Sequence, residues 1–268
     1  MLRHALVTGG SSGLGRELVK QLVRDRGMTV LATARRLDRL ESLVAELPAG
    51  KVVILAGDLA DPAFRARLWE RAEALPGGLD LLVNNAGLGH YDEFATQDFD
   101  AIRQVVEVNL MALMDLTQRA ARHMRSRGSG QILQVSSTLG FVGLPYSAAY
   151  VATKHAVNGL VRSLRYELLG TGVRVWAACP GRTESEFASV ALGGPGQPGR
   201  GPRGEPTDRV VRAIVRGLDG RRAFLLPSPI AWAVVAASRW LPGPFEWLMS
   251  RWAPGHFRAE IEASRGRD

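Results

Sequence analysis

A tyrosine and a lysine four residues apart raise the first chemical possibility in this chain: residues 150–154 read YVATK. At that spacing two side chains share one face of a helix. A phenol has an ordinary pKa near 10, and an adjacent ammonium favours its ionised form. The pair is either an acid with its tuning cation or an ordinary surface pair. Lysine is scarce, which weighs against coincidence: of 34 Lys and Arg residues, only Lys20, Lys51 and Lys154 are lysine.

A second constellation, TGGSSGLG at residues 8–15, lies between the short apolar run HALVT and the helical pattern GRELVKQL. Glycines there permit a tight turn and close backbone approach to a pyrophosphate, and the helix start supplies free N–H donors and a positive dipole end. Gly9, Gly13 and Gly15 follow G-x-x-x-G-x-G, a relative of the GxGxxG fingerprint, and their place between first strand and first helix points to a dinucleotide site. The second strand ends in TARR. An acid at such a strand end would bond the ribose hydroxyls of NAD; here Ala34 is followed by Arg35 and Arg36, whose forks suit a 2′-phosphate. NADP(H) is therefore expected over NAD(H), the plainer alternative being that both arginines merely open the next helix.

The elements that must position these residues alternate. HALVT, MTVLATA, KVVILAG, LDLLVNN, GQILQVSS and VRVWAAC are apolar nearly throughout, as strands of a parallel sheet covered on both faces are. Between them run helical patterns such as RLDRLESLVAELP and PAFRARLWERAEALP, which together imply right-handed crossovers in one α/β domain. The rhythm holds to about residue 192. Residues 193–206 (GGPGQPGRGPRGEP) deny a regular element and are expected to form a flexible loop over a site. One more helix and strand follow over 207–227, then a Trp-rich extension over 228–268 that reads as two short amphipathic helices around PGP. That tail has three candidate placements: a membrane interface, the substrate cleft, or a partner subunit.

Bulk properties narrow the field. The net charge of +8 comes from arginines interleaved with acids rather than from runs, so a solvated basic surface is expected and no nucleic-acid partner. A single cysteine, Cys179, precludes an internal disulfide and suits a reducing compartment. The five histidines show no ligand spacing with Cys or paired carboxylates, so no metal is expected. The chain shows neither an export leader nor an apolar run of ~18 residues, giving an expectation of a cytoplasmic protein, with peripheral membrane contact left open for the tail.

Taken in order, TGGSSGLG, the Asp58–Leu59 pair, NNAG at 84–87, Asn109, Ser137, YVATK and PGRTES resemble the short-chain dehydrogenase/reductase family over about residues 3–226. The resemblance implies a single-domain Rossmann fold, a doubly wound parallel sheet of about seven strands, carrying a C-terminal helical extension. It makes Tyr150 the general acid/base, Lys154 its partner and a ribose ligand, and Ser137, thirteen positions upstream, the residue orienting the substrate oxygen, with Ser136 its rival. Asn109 would support a proton relay, although an asparagine on a buried helix face could equally satisfy a backbone group. Gly9, Ser11, Ser12, Gly13, Leu14 and Gly15 would cradle the pyrophosphate, Arg35 and Arg36 the 2′-phosphate, and Asp58 and Leu59 the adenine. Asn85, Ala86 and Gly87 would border the adenosine half, Pro180, Gly181 and Ser185 the nicotinamide, with Ser185 standing where relatives often carry threonine. Asn84 would tie its strand to its neighbours.

The implied activity is hydride transfer between a nicotinamide and a carbonyl or secondary alcohol carbon of a small molecule, in a homodimer or homotetramer. Leu88, Tyr91, Phe94 and Phe187 are candidate walls of an apolar substrate pocket, and each is equally a plausible core residue. A non-catalytic dinucleotide-binding regulator, or an enzyme of enoyl reduction or epimerisation, are the alternatives; a binder needs no proton relay, and the serine with Y-x-x-x-K favours carbonyl chemistry.

Overall fold

The computed structural model describes residues 2–187, 191–193 and 204–265. Its strands are β1 (His4–Thr8), β2 (Thr29–Ala34), β3 (Val52–Ala56), β4 (Leu81–Asn84), β5 (His90–Tyr91), β6 (Gly130–Val135), β7 (Val173–Ala178), β8 (Leu192–Gly193) and β9 (Phe224–Leu225). Seven of them form one sheet in the order β3-β2-β1-β4-β6-β7-β9, and every neighbouring pair is parallel. The fold is α/β and doubly wound: the chain lays strands outward from β1 to β3, returns to β4, and builds outward again. Where that order reverses, the crossovers leave on opposite faces and open a crevice at the carboxyl ends of β1 and β4.

Nine α-helices complete the described residues: α1 (Gly13–Arg26), α2 (Leu37–Ala45), α3 (Pro62–Glu73), α4 (Phe99–Val106), α5 (Ala112–Arg127), α6 (Ala148–Glu167), α7 (Thr207–Gly217), α8 (Pro229–Trp240) and α9 (Pro242–Arg265). Local signals set several of their ends. Gly27 and Gly128 close α1 and α5 in the left-handed conformation, which glycine adopts without a Cβ penalty. Asp61 caps α3 by accepting from the Ala63 N–H at 2.8 Å, with Pro62 in the first turn.

Because side chains alternate across a strand, each strand feeds two cores. Ala5, Val7, Val30, Ala32, Leu81, Val83, Leu133, Val135 and Trp176 pack under α1, α2 and α7. Their neighbours Leu6, Leu31, Leu82, Ile132, Val175 and Ala177 pack under α3, α5 and α6. Burial on both faces is why the runs carry no polar alternation.

Three features depart from the sequence-based expectations. The strand expected in RRAFLLP shortens to Phe224–Leu225. Two-residue strands β5 and β8 pair with each other in a separate parallel ladder, too short to leave a periodic signal. The tail's second helix is 24 residues long rather than short, because the PGP segment falls in its first turn, where proline is tolerated. Most of the loop expected over 193–206 lies outside the described residues. Its far end is pinned where Glu205 exchanges backbone hydrogen bonds with Arg182 and Glu184, both at 2.9 Å. Among the described residues no helix is long and apolar enough to cross a membrane.

The sheet is held at its centre by a buried polar cluster. Asn84 Nδ2 on β4 donates to Gln134 Oε1 on β6 and to Thr117 Oγ1 on α5, both at 3.0 Å, while Gln134 Nε2 donates to the same hydroxyl at 2.8 Å. An Asn84→Leu substitution strands the Gln134 carbonyl in an apolar layer, at a cost of about 1–3 kcal/mol. Urea unfolding should show that loss as a lower midpoint with an unchanged slope.

Candidate active site

The crevice at the reversal point is lined by the loop after β1, the end of β2 and the two arginines that follow it, the segment after β4, the ends of β6 and β7, and the first turns of α6. It encloses about 310 Å3, within the range of small-molecule sites.

The floor of the crevice is built from glycines. A Cβ on Gly15 would overlap the Gly9 carbonyl oxygen, and one on Gly9 would come within 2.9 Å of Ala86 Cα. The two loops therefore touch backbone to backbone. Thr8 fixes that contact: its hydroxyl accepts from the Asn85 and Ala86 N–H groups, each at 3.0 Å, and Asn85 Nδ2 returns a bond to the Thr8 carbonyl at 2.9 Å. The first turn of α1 has no side-chain cap and no acid, leaving its N–H groups for an anion. A pyrophosphate fits such a cradle. Gly57, Asp58 and Leu59 border the crevice after β3, where Asp58 Oδ1 accepts from Ala60 N at 2.9 Å and shapes the turn.

Of the two arginines after β2, Arg36 is the one drawn into the site. Its Nη2 donates to Ser12 Oγ at 2.9 Å and reaches Ser11 Oγ at 3.4 Å. Arg35 also borders the crevice and is exposed.

The reacting end lies where α6 meets β6. Tyr150 and Lys154 sit one turn apart in α6, both buried, with Lys154 Nζ 5.5 Å from the Tyr150 ring centroid. Lys154 Nζ donates to the Val135 carbonyl at 2.9 Å, which leaves two of its three hydrogens unassigned by that bond. Ser137 follows β6 and caps a short 3-10 turn, its Oγ accepting from Leu139 N at 3.1 Å. Ser136 Oγ instead donates to Asn158 Oδ1 at 2.7 Å, and Asn158 Nδ2 continues to the Gly140 carbonyl at 2.9 Å. The rival serine is thus engaged in holding β6 to α6.

Asn109 occupies a π-helical turn (Glu107–Met111) between α4 and α5. Its amide pairs both ways with Leu88, accepting from the N–H at 2.7 Å and donating to the carbonyl at 2.9 Å. The backbone-satisfying alternative weighed from sequence is therefore present in the structure. Asn109 and Lys154 also share a border: a Cβ on Gly87 would stand 3.3 Å from Asn109 Oδ1 and 3.9 Å from Lys154 Nζ.

Burial dominates the electrostatics. It pushes the Tyr150 phenol well above its ordinary value, the Tyr91 phenol adds to the rise, and the Ser137 hydroxyl pulls the other way. Burial pushes the Lys154 ammonium down to about 8 and the Cys179 thiol up to about 12. Lys154, which lies over the Tyr150 ring and is itself buried, is not among the groups that lower the phenol, and burial sets the direction.

Among the four expected pocket walls, Leu88 and Phe187 line the crevice, with the Phe187 ring 5.7 Å from that of Tyr150. Tyr91 stands beside Gly89 and is pushed up to about 12 by burial. Phe94 is 59% exposed on a 3-10 turn (Phe94–Thr96) and lies outside the lining. Pro180, Gly181 and Ser185 line the crevice after β7. Ala231 of α8 would be 3.8 Å from a Cβ on Gly181, so the tail begins at the rim. Thr183, bonded to Ser185 Oγ at 3.3 Å, also lines it. Sequence reasoning overlooked Thr183 and Thr8, although hydroxyls spaced i, i+2 after a strand, and at a strand's last residue, were available signals.

Comparison with known proteins covers most of the chain. The short chain dehydrogenase family matches residues 3–192. An uncharacterised oxidoreductase of Myxococcus xanthus is 39% identical over 191 residues, 70% of this chain and 75% of that one. A solved short-chain dehydrogenase from Sphingobium yanoikuyae, in complex with NADPH, superposes with a TM-score of 0.79 at 30% identity, covering 93% of this chain and 96% of the other. A Burkholderia phymatum protein solved with NAD shares the fold at a TM-score of 0.79 and 24% identity, over 88% of this chain and 92% of its own.

The buried ammonium has a measurable signature. Lys154 releases its proton near pH 8 in the folded chain and near 10.4 when unfolded, so the unfolded state binds more protons between those values and stability rises with pH there. Lys154→Met removes that dependence. The melting temperature of the wild type relative to the variant should therefore climb by roughly 2–5 °C from pH 7 to pH 9. A constant gap in calorimetry would rule out a desolvated ammonium.

Proposed function

Since the chain belongs to the short-chain dehydrogenase family, and is on that ground an oxidoreductase that binds a nicotinamide dinucleotide, we propose that it is an NADP(H)-dependent carbonyl reductase or alcohol dehydrogenase acting on an apolar small molecule. The observation that carries this reading is the convergence of Ser137, Tyr150 and Lys154 at the inner end of a crevice whose outer end holds Arg35 and Arg36.

The dinucleotide, when bound, supplies or accepts the hydride. The chain's own residues do the rest. Ser137 holds the substrate oxygen and shares its charge as it becomes an alkoxide. Tyr150, kept protonated by burial, gives its phenolic proton to that oxygen in reduction and takes it back in oxidation. Lys154 offers its remaining hydrogens to the nicotinamide ribose and holds positive charge beside the phenol. Asn109 fixes the Leu88 backbone, and with it the wall that excludes water from the reacting carbon. The apolar preference is supported by Leu88 and Phe187 next to Tyr150.

The phosphate-bearing cofactor is supported by Arg36 on the glycine loop and by Ala34 where an acid would discriminate for NAD. Assembly as a homodimer or homotetramer is supported by apolar side chains left exposed where the π-turn enters α5 and around the end of α6: Met111, Met114, Tyr166 and Leu169. A cytoplasmic location belongs to the same reading.

Two measurements test it. A screen of NADPH oxidation over ketones, quinones, steroids and fatty aldehydes, with NADH in parallel, should find turnover with kcat/KM higher for NADPH; equal or better use of NADH removes the cofactor assignment. Tyr150→Phe should lower kcat by about 100-fold or more while NADPH binding, followed by fluorescence, stays near that of the wild type. Near-normal turnover in that variant would sink the proton-donor role.

A further inference from the structure

The outer rim of the crevice carries a carboxylate where an anion is to bind. Glu186, in the segment after β7, faces the start of α2 across the opening. Its Oε2 lies 2.6 Å from Arg39 Nη1 and 3.5 Å from Arg36 Nη1. The same Arg36 reaches back to Ser12 on the glycine loop. Arg36 therefore bridges the glycine loop and the segment after β7, and Glu186 is bound at one end of that bridge.

Neighbouring residues of that segment reach further into the site. Ser185 backs the glycine loop, its Cβ 3.1 Å from where a Cβ on Gly13 would stand. Phe187 lies against the Tyr150 ring. Three consecutive residues thus touch the pyrophosphate cradle, the arginines and the proton donor. Arg39, with its side chain 39% exposed, and Arg36, 38% exposed, lower the pKa of the Glu186 carboxyl from its ordinary value.

We propose that Glu186 is an internal competitor for Arg36: it occupies the guanidinium that the 2′-phosphate must take, and so sets how strongly the chain prefers the phosphorylated cofactor. The contacts of Glu186 with the two arginines are unequal, and this makes exchange feasible. The shorter one, to Arg39, can persist while the longer one, to Arg36, yields. After exchange the rim holds Arg35, Arg36 and Arg39 against one carboxylate, leaving two positive charges for a phosphate that carries nearly two negative ones. The affinity gained from Arg36 is reduced by the carboxylate that remains nearby, and release of the product dinucleotide is correspondingly easier. Glu186 thereby links phosphate recognition to the segment that presents Phe187 to the substrate.

This inference rests on the NADP(H) reading, and the experiment separates the two. Binding of 2′,5′-ADP and of 5′-AMP, which lacks only the 2′-phosphate, is measured by isothermal titration calorimetry on the wild type and on Glu186→Gln. In the wild type, tighter binding of 2′,5′-ADP supports the phosphate site, and equal binding overturns the cofactor reading itself. In Glu186→Gln, the affinity for 2′,5′-ADP should rise about three- to tenfold, as expected for removal of one partly exposed like charge, while 5′-AMP is unaffected. Unchanged or weaker 2′,5′-ADP binding in the variant overturns the competitor, since it makes Glu186 irrelevant to Arg36 or a support for it. An equal gain for both ligands overturns it as well, because the effect is then on the crevice's overall field and not on the 2′-phosphate.

Discussion

The Thr8 hydroxyl is the joint on which the crevice depends. It accepts two backbone N–H groups from the segment after β4 while lying at the last residue of β1. That pairing brings two loops so close that only glycine fits at the contact, as the positions of Gly9 and Gly15 show. Close approach has two consequences. It aims the start of α1 at the space between the loops, and it fixes the segment after β4 whose Gly87 lies beside Asn109 and Lys154. A larger residue in either loop would part β1 from β4 at the one place where the fold must open in a controlled way.

Burial performs opposite services at the two ends of the site. At the inner end it holds Tyr150 as the neutral phenol and makes Lys154 a more easily discharged ammonium. At the outer end the arginines stay partly wet, where ion pairs are weak and exchangeable. One crevice therefore contains a buried, low-dielectric inner compartment and a partly solvated rim. The ends of β1 and β4, which stand between β2 and β6 in the sheet, keep the two at a fixed separation.

Much of this was legible in the residues themselves. Strands apolar on both faces and helices of regular period specify a parallel α/β layer, and the glycine spacing marks where the first strand turns. The ordered motifs located Ser137, Tyr150 and Lys154, and the structure brings all three to one crevice. What sequence did not reveal depends on tertiary geometry. The short ladder between His90–Tyr91 and Leu192–Gly193 joins segments a hundred residues apart and has no periodicity to detect. Phe94 reads as a wall residue by proximity in sequence, but a 3-10 turn carries it to solvent. The direction of the Tyr150 shift could not be read from i, i+4 spacing, because it is set by how much protein surrounds the pair. Asn109 shows the same limit: its type was conspicuous, but its pairing with Leu88 required the fold.

The distribution of tryptophan gives the molecule two optical populations. Trp69 and Trp176 are enclosed in the two cores on either side of the sheet, whereas Trp232, Trp240, Trp247 and Trp252 stand on the surface of α8 and α9. Indoles in water emit at longer wavelength and are open to collisional quenchers; indoles in a dry core are neither. Four of the six indoles thus lie within the last forty residues, and covering the tail should shift their emission to the blue while leaving Trp69 and Trp176 unchanged.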